Sequence, residues 1–139
     1  MKNKQQKQSA GMVIVKGRDL PISTKKAIIL CKLLQNKRME PSLKLMEDVA
    51  NNKKAIKLGR REALKPGRGT KHPIKTAKVF VKMLKNLSAN ASVKGLDVGK
   101  LIITAKADKA SSPLRPGARL REFKRTHVLL QGKVVESKK

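Results

Sequence analysis

LIITAKADKASSPLRPGARLREFKRTHVLL, residues 101–130, is the stretch whose reading decides the fold. LIITAKA (101–107) and THVLLQGKVV (126–135) both read as β-strand, because apolar and β-branched residues alternate with others. Between them SSPLRPGARLREFKR (111–125) holds five basic side chains, one acidic one, two prolines and one glycine. The pattern predicts an antiparallel hairpin, an arm over about 101–130 with a long, charged end and a returning strand from about 119 to 135. Side chains in a strand point alternately to opposite faces. Arg119, Arg121, Phe123, Arg125 and His127 therefore share one face, with Leu120, Glu122, Lys124 and Thr126 on the other. Three guanidinium groups and a ring on one face make a surface for gripping phosphates and stacking on a base or sugar. Pro113, Pro116 and Gly117 would stiffen and turn the tip. Nothing inside the segment neutralises its charge, so the reason for that charge lies elsewhere.

Composition supplies the reason. The 139 residues fit one domain. They carry 35 Lys+Arg against 9 Asp+Glu, a net charge of +26. A compact domain with that excess repels itself, which calls for a polyanionic partner. Nucleic acid comes first, because its closely spaced phosphates release counterions on binding; an anionic membrane surface comes second. Phe80 and Phe123 are the only Phe residues, and Trp and Tyr are absent. That argues against single-strand readers, which stack bases on several rings, and against interfacial proteins with an aromatic belt. Backbone and shape are the expected objects of recognition. Cys31 is the only cysteine, so no internal disulfide can form and a reducing compartment fits. The first ten residues lack an apolar core and no stretch approaches membrane-spanning length. The expectation is a soluble cytoplasmic protein, in which the sequons at Asn86 and Asn90 are coincidental.

Residues 1–10 read as a disordered basic tail, 11–135 as the domain, and 136–139 as a second tail. GMVIVKGRDL (11–20) reads as a strand, with Met12, Ile14 and Lys16 alternating against Val13 and Val15. Ser23 is placed to cap a first helix carrying Ala27, Ile28, Cys31 and Leu34 at helical spacing. Lys37 and Arg38 suit the negative end of that helix. Lys25 and Lys26 join the candidate anion contacts from its first turn. A second helix begins near Pro41, turns Leu43, Met46 and Ala50 inward, and is closed by Asn51-Asn52. Residues 53–72 form a basic loop broken by Gly59, Pro66, Gly67 and Gly69; it implies either disorder or a bound partner. PIKTAKVFVKMLKNLSANASVK (73–94) is the clearest helix, with Ile74, Ala77, Val81, Leu84, Leu87 and Ala91 in one apolar stripe. Lys71, Lys75, Lys78, Lys82 and Lys85 recur at steps of four and three, a uniformly positive stripe suited to phosphates. Gly95 suits a left-handed helix cap.

Catalysis finds no foothold. His72 and His127 lie far apart, no carboxylate pair or nucleophile arrangement is visible, and Pro66-Gly-Arg-Gly-Thr-Lys71 lacks the spacing of a phosphate loop. Cys31 reads as a small core residue. No enzyme, metal, cofactor or small-molecule substrate is expected.

Three stretches, GRDLPISTKKAIILCKLLQNKRMEPSLKLMEDV (17–49), HPIKTAKVFVKMLKNLSANASVKGLDVGKLII (72–103) and RPGARLREFKRTHVLLQ (115–131), carry a family signal. In that order they resemble the universal large-subunit ribosomal protein twenty-two family, over roughly 11–135. Its most telling pieces are the LPIS helix start, the Asn-Ala-x-x-Lys-Gly-Leu-Asp-Val run at 90–98 and the Arg-Thr-His-Val strand. The basic loop ending Gly69-Thr-Lys-His-Pro73 is similar to the archaeal and eukaryotic branch. The resemblance implies an α+β fold, three helices packed on a small antiparallel sheet with a long protruding β-hairpin. It implies a structural constituent that binds ribosomal RNA, helps assemble and stabilise the large subunit, and meets neighbouring ribosomal proteins. Its hairpin tip, about Ser111, Ser112, Pro113, Leu114, Arg115 and Pro116, would line the polypeptide exit tunnel and meet the nascent chain. RNA contacts carried over are Arg119, Arg121, Lys124, Arg125 and His127 on the arm, with Arg60, Arg61, Arg68, Lys71 and His72 in the loop. Arg115, Lys75, Lys78 and Lys82 complete the set. The segment between the strands is shorter than is usual, Arg-Ala-x-Gly-Arg is reduced to Pro-Gly-Ala-Arg-Leu (116–120), and the loop lacks aromatic residues. These departures imply a retracted tip and a diverged or reduced ribosome.

Two rival readings fit the charge. An architectural DNA-binding protein with a proline-tipped β-arm would bend duplex through its minor groove and dimerise through an apolar face, for which no second apolar stripe is spare. A membrane-surface module would need a strongly amphipathic helix with aromatic anchors.

Overall fold

The strands read at 101 and 126 are antiparallel neighbours in a computed structural model of the chain, which describes residues 11–57, 70–117 and 120–134. The expected tails at 1–10 and 136–139 fall outside the described residues. The order along the chain is β1 (Met12–Leu20), α1 (Thr24–Leu34), β2 (Lys37–Arg38), α2 (Met39–Ala50), β3 (Ile56–Lys57), β4 (Thr70–Lys71), α3 (Ile74–Val93), β5 (Leu101–Lys109) and β6 (Thr126–Val134). The main sheet is antiparallel in the order β1-β6-β5-β2, and β3-β4 form a separate two-stranded ladder. With three helices packed on it, the fold is the α+β arrangement expected.

Register explains the core. Val13, Gly132 and Ile103 lie side by side across the sheet, as do Val15, Leu130 and Ala105, so these residues share a face. Val13, Ile103, Ala105 and Leu130, with Leu101 and Val128, join Leu30 and Leu34 of α1, Met46 and Val49 of α2, and Phe80, Leu84 and Leu87 of α3 in one buried cluster, against which the half-buried Val15 packs. The alternate residues Ile14, Ile102, His127 and Leu129 are half-buried or exposed. At Gly132 an added Cβ would come within 3.2 Å of the Leu101 side chain and 3.6 Å of Leu87, so a larger residue would need the Leu101 side chain to give way by a few tenths of an ångström. Gly95 ends α3 at φ +68; its N–H donates to the Ser92 carbonyl and that of Leu96 to the Ala91 carbonyl, closing the helix as anticipated.

Several local readings change. In α1, Ile28 is 38% exposed and Leu30 takes the core position. Ser23 precedes the helix without a side-chain capping bond. Lys37 and Arg38 do not lie at the end of α1; they form β2 against Ile103 and Ile102. Asn36 makes this possible, since its φ of 59 turns the chain and its N–H donates to the Ile103 carbonyl, a left-handed conformation that Asn tolerates. Gln35 extends the pairing by accepting from the Ala105 N–H. α2 accordingly starts at Met39, and Met39, Ser42, Met46 and Val49 are its buried residues, with Leu43 and Ala50 only partly covered. In α3, Phe80, Met83 and Thr76 join the buried stripe, whereas Ile74 and Val81 are half-buried. Cys31 is a buried core residue; burial, and then the Asp108 carboxylate, push its thiol up to about 12, which leaves it protonated and inert.

The returning strand also differs. It begins at Thr126, because Leu120 adopts φ 56 and the chain from 120 to 125 follows no continuous ladder. The two branches instead touch at separate points: Ala110 N–H donates to Arg125, Arg115 N–H to Arg121, and Phe123 N–H to Pro113, with one bridge pairing Leu114 and Glu122. Pro113 and Pro116 have no N–H to contribute, which accounts for the interrupted pairing.

Candidate nucleic-acid interface

The arm's root is fixed by hydroxyls. Thr126 is fully buried, on the inward register of β6. Its Oγ1 donates to the Ile22 carbonyl at 2.9 Å and lies 2.8 Å from Thr24 Oγ1. A hydroxyl has one proton to give, so with Thr126 donating to Ile22, Thr24 donates to Thr126. This relay ties β6 to the start of α1. The sequence reading missed it, although Thr126 stands two residues before Val128 in the buried alternation. Thr126→Val keeps the shape and strands the Ile22 carbonyl; the expected cost in denaturant unfolding is about 1–3 kcal/mol. A loss under about 0.5 kcal/mol would mean that water replaces the relay.

Beyond the root, the arm is held by an aromatic stack. The guanidinium of Arg115 lies 5.2 Å from the Phe123 ring centre and that of Arg125 lies 5.6 Å from it. Each contact attracts the cation to the ring's negative face. Phe123 thereby positions two guanidinium groups from opposite branches of the arm. Strand alternation was expected to put Arg125 and Phe123 on one face, but β6 begins only at Thr126, so their contact arises in irregular chain; the partner across the arm, Arg115, was not foreseen in that role. Lys109 and Glu122 form an exposed ion pair at 3.5 Å.

His127 is engaged within the protein. At β1 a bulge sets Arg18 and Asp19 opposite His127, and Asp19, at φ 50, donates its N–H to His127 Nδ1 at 3.2 Å. The Asp19 carboxylate stands 4.0 Å from Nε2. His127 thus braces the bulge, with its side chain half exposed.

On α3, Lys75, Lys78 and Lys82 are exposed in a row. Lys85, at the end of the row, pairs with Glu47 of α2 at 3.3 Å, so the stripe stops one residue short. His72 is exposed and Lys71 half-buried at the base of the basic loop, where β3 and β4 pair Ile56 with Lys71. Arg60, Arg61 and Arg68 lie outside the described residues, as does Arg119. Lys25 is exposed and Lys26 half-buried in the first turn of α1; Arg121 and Lys124 are exposed. Of the tip residues, Ser111, Pro113, Leu114, Arg115 and Pro116 are exposed, and Ser112 is half-buried with its hydroxyl donating to the Ala110 carbonyl at 3.3 Å. Among the described residues, no cluster of His, Cys, Asp or Glu is arranged to hold a metal, and no helix is long and apolar enough to cross a membrane.

A family model described as Ribosomal protein L22p/L17e matches residues 15–130, from within β1 through all three helices and the arm into β6. The chain belongs to that family. Among relatives called large ribosomal subunit protein uL22, that of Archaeoglobus fulgidus is 41% identical over 101 residues, covering 67% of this chain and 65% of the relative. That of Methanococcoides burtonii is 34% identical over 111 residues, 74% of each chain, and that of Methanocaldococcus jannaschii 33% identical over 94 residues, 63% of this chain and 60% of the relative. The chain thus spans slightly under two thirds of the length of the A. fulgidus and M. jannaschii relatives.

Proposed function

We propose that the chain is a structural, non-enzymatic constituent of the large ribosomal subunit in the cytoplasm, and that it works by binding ribosomal RNA. The observation that carries this reading is the family match over residues 15–130, which takes in the helices and the arm together. The charge agrees with it: a formal +26 remains after the protein's own carboxylates have offset what they can. Lys75, Lys78 and Lys82 offer one row of phosphate contacts; Arg115, Arg121, Lys124 and Arg125 offer another on the arm. Arg60, Arg61, Arg68, Arg119, Lys25, Lys26, Lys71, His72 and His127 complete the proposed RNA contacts. The tip, Ser111–Pro116, lies at the wall of the exit tunnel and meets the nascent polypeptide, while the body touches neighbouring ribosomal proteins. The chain's task is to hold distant RNA segments in place during assembly.

The test replaces Arg119, Arg121 and Arg125 together by alanine. Arg121 is exposed and Arg125 half-buried against Phe123, both outside the hydrophobic core, so the thermal midpoint should stay close to that of the unaltered chain. Incorporation into large subunits, read on sucrose gradients, should drop severalfold. Parallel losses of midpoint and incorporation would make these arginines structural and remove the arm from the interface.

A further inference from the structure

A cleft of about 670 Å³ lies where the root of the arm faces the start of α1 and the base of the basic loop. Lys25 and Lys26 of α1, Lys71 of β4, Lys109 of β5, and Lys124 and Arg125 of the arm line it. The lining carboxylate, Glu122, is already paired with Lys109. The first turn of α1 contains no acidic residue and its Ser23 makes no side-chain cap, so the positive end of the helix dipole adds to the field. Phe123 also lines the cleft and holds the Arg125 guanidinium in place. Lys26 on α1 and Lys124 and Arg125 on the arm are like charges that repel one another, and an anion touching all three turns that repulsion into attraction.

We infer that this cleft seats the sugar–phosphate backbone of one RNA strand, with Lys26 gripping phosphate oxygens from the α1 side and Lys124 and Arg125 from the arm. The inference rests on the ribosomal reading and deepens it by naming a site and the atoms it takes. The bound strand bridges the arm to the body, beside the Thr24–Thr126–Ile22 relay, and so sets the direction in which the arm leaves the sheet. Lysine ammonium groups recognise phosphate as point charges, and contacts to the backbone carry no sequence information, so this grip is indifferent to sequence.

Sodium tripolyphosphate, a backbone-like anion without bases, is the probe. Titrated into the full chain, it should shift the amide resonances of residues 23–26 and 122–126 while leaving α2 unmoved. The paired variant Lys26→Gln/Lys124→Gln should bind it about tenfold more weakly or worse, since two charge-assisted contacts are lost. The control pair Lys44→Gln/Lys53→Gln, exposed lysines elsewhere, should bind as the unaltered chain does. With ribosomal RNA, the cleft pair should lower the slope of log affinity against log salt by about 2. An unchanged thermal midpoint shows that the pair folds; if it falls, the single variant Lys124→Gln is read in the same way. Shifts spread evenly over the surface, or equal losses in both pairs, overturn the cleft. If the cleft pair keeps its ribosomal RNA affinity and slope, the cleft inference fails and the ribosomal reading survives. If the unaltered chain fails to prefer ribosomal RNA to duplex DNA, the ribosomal reading fails.

Discussion

Binding of the chain to large-subunit ribosomal RNA should weaken by about a thousandfold or more as salt rises from about 50 mM to about 200 mM. Each cation that neutralises a phosphate releases condensed counterions, and raising bulk salt removes that entropic gain. Lys26, Lys75, Lys78, Lys82, Arg115, Arg121, Lys124 and Arg125 are all exposed or half-exposed and available for such contacts. Lys85 and Lys109 contribute less, because Glu47 and Glu122 already answer them. With roughly six to ten contacts made, the loss reaches the stated size. Apolar docking would show little of this dependence, because burial of apolar surface strengthens slightly with salting-out ions. A loss below about tenfold over the same range, measured by filter binding or fluorescence anisotropy, would mean that phosphate contacts do not dominate. Duplex DNA measured alongside separates the reading from its architectural rival: comparable affinity and slope for plain duplex would favour that rival.

Phe80→Ala should remove about 3–5 kcal/mol from the folding free energy. Phe80 is fully buried on α3, and its side chain is the largest in the single cluster that unites the sheet with all three helices. The other Phe, Phe123, lies on the arm, so nothing aromatic can move in to fill the cavity. Neighbours such as Leu84, Leu87 and Ile103 are themselves fully buried in a close-packed core and can collapse into the gap only partly. Against a total stability of about 5–15 kcal/mol the loss is severe, and ribosomal RNA would recover part of it by binding only the folded form. Urea titration with and without RNA reads both effects. A loss under about 1 kcal/mol would show that α3 is held chiefly by something other than this ring.

How much was legible follows from the reach of each signal. α3 was legible because twenty residues repeat an apolar stripe and Gly95 supplies the only conformation its end needs. The β5/β6 pair was legible because both strands alternate over nine residues. β2 was not: two residues carry no period, and they become a strand only because Asn36 delivers them to the edge of β5. The exchange of Ile28 for Leu30 is a rotation of one helical face, which an apolar run such as AIILCKLL cannot fix alone. The irregular start of the returning branch depends on a left-handed Leu120, a conformation that no composition advertises. The cations of the interface were visible as charge. Their meeting was not, since Lys26 and Lys124 belong to distant parts of the chain and are brought to one cleft by the packing of α1 beside the arm's root. The same distance hid the Lys85–Glu47 pair and the bracing of Asp19 by His127.

Sucrose-gradient sedimentation of a cell lysate, with the tagged full chain followed by immunoblot, tests the central claim most directly. The chain should run with the large subunit and with whole ribosomes, and should leave them only when high salt strips basic proteins from the RNA. Tagged chain that stays at the top of the gradient while the large subunits sediment normally would contradict a ribosomal role.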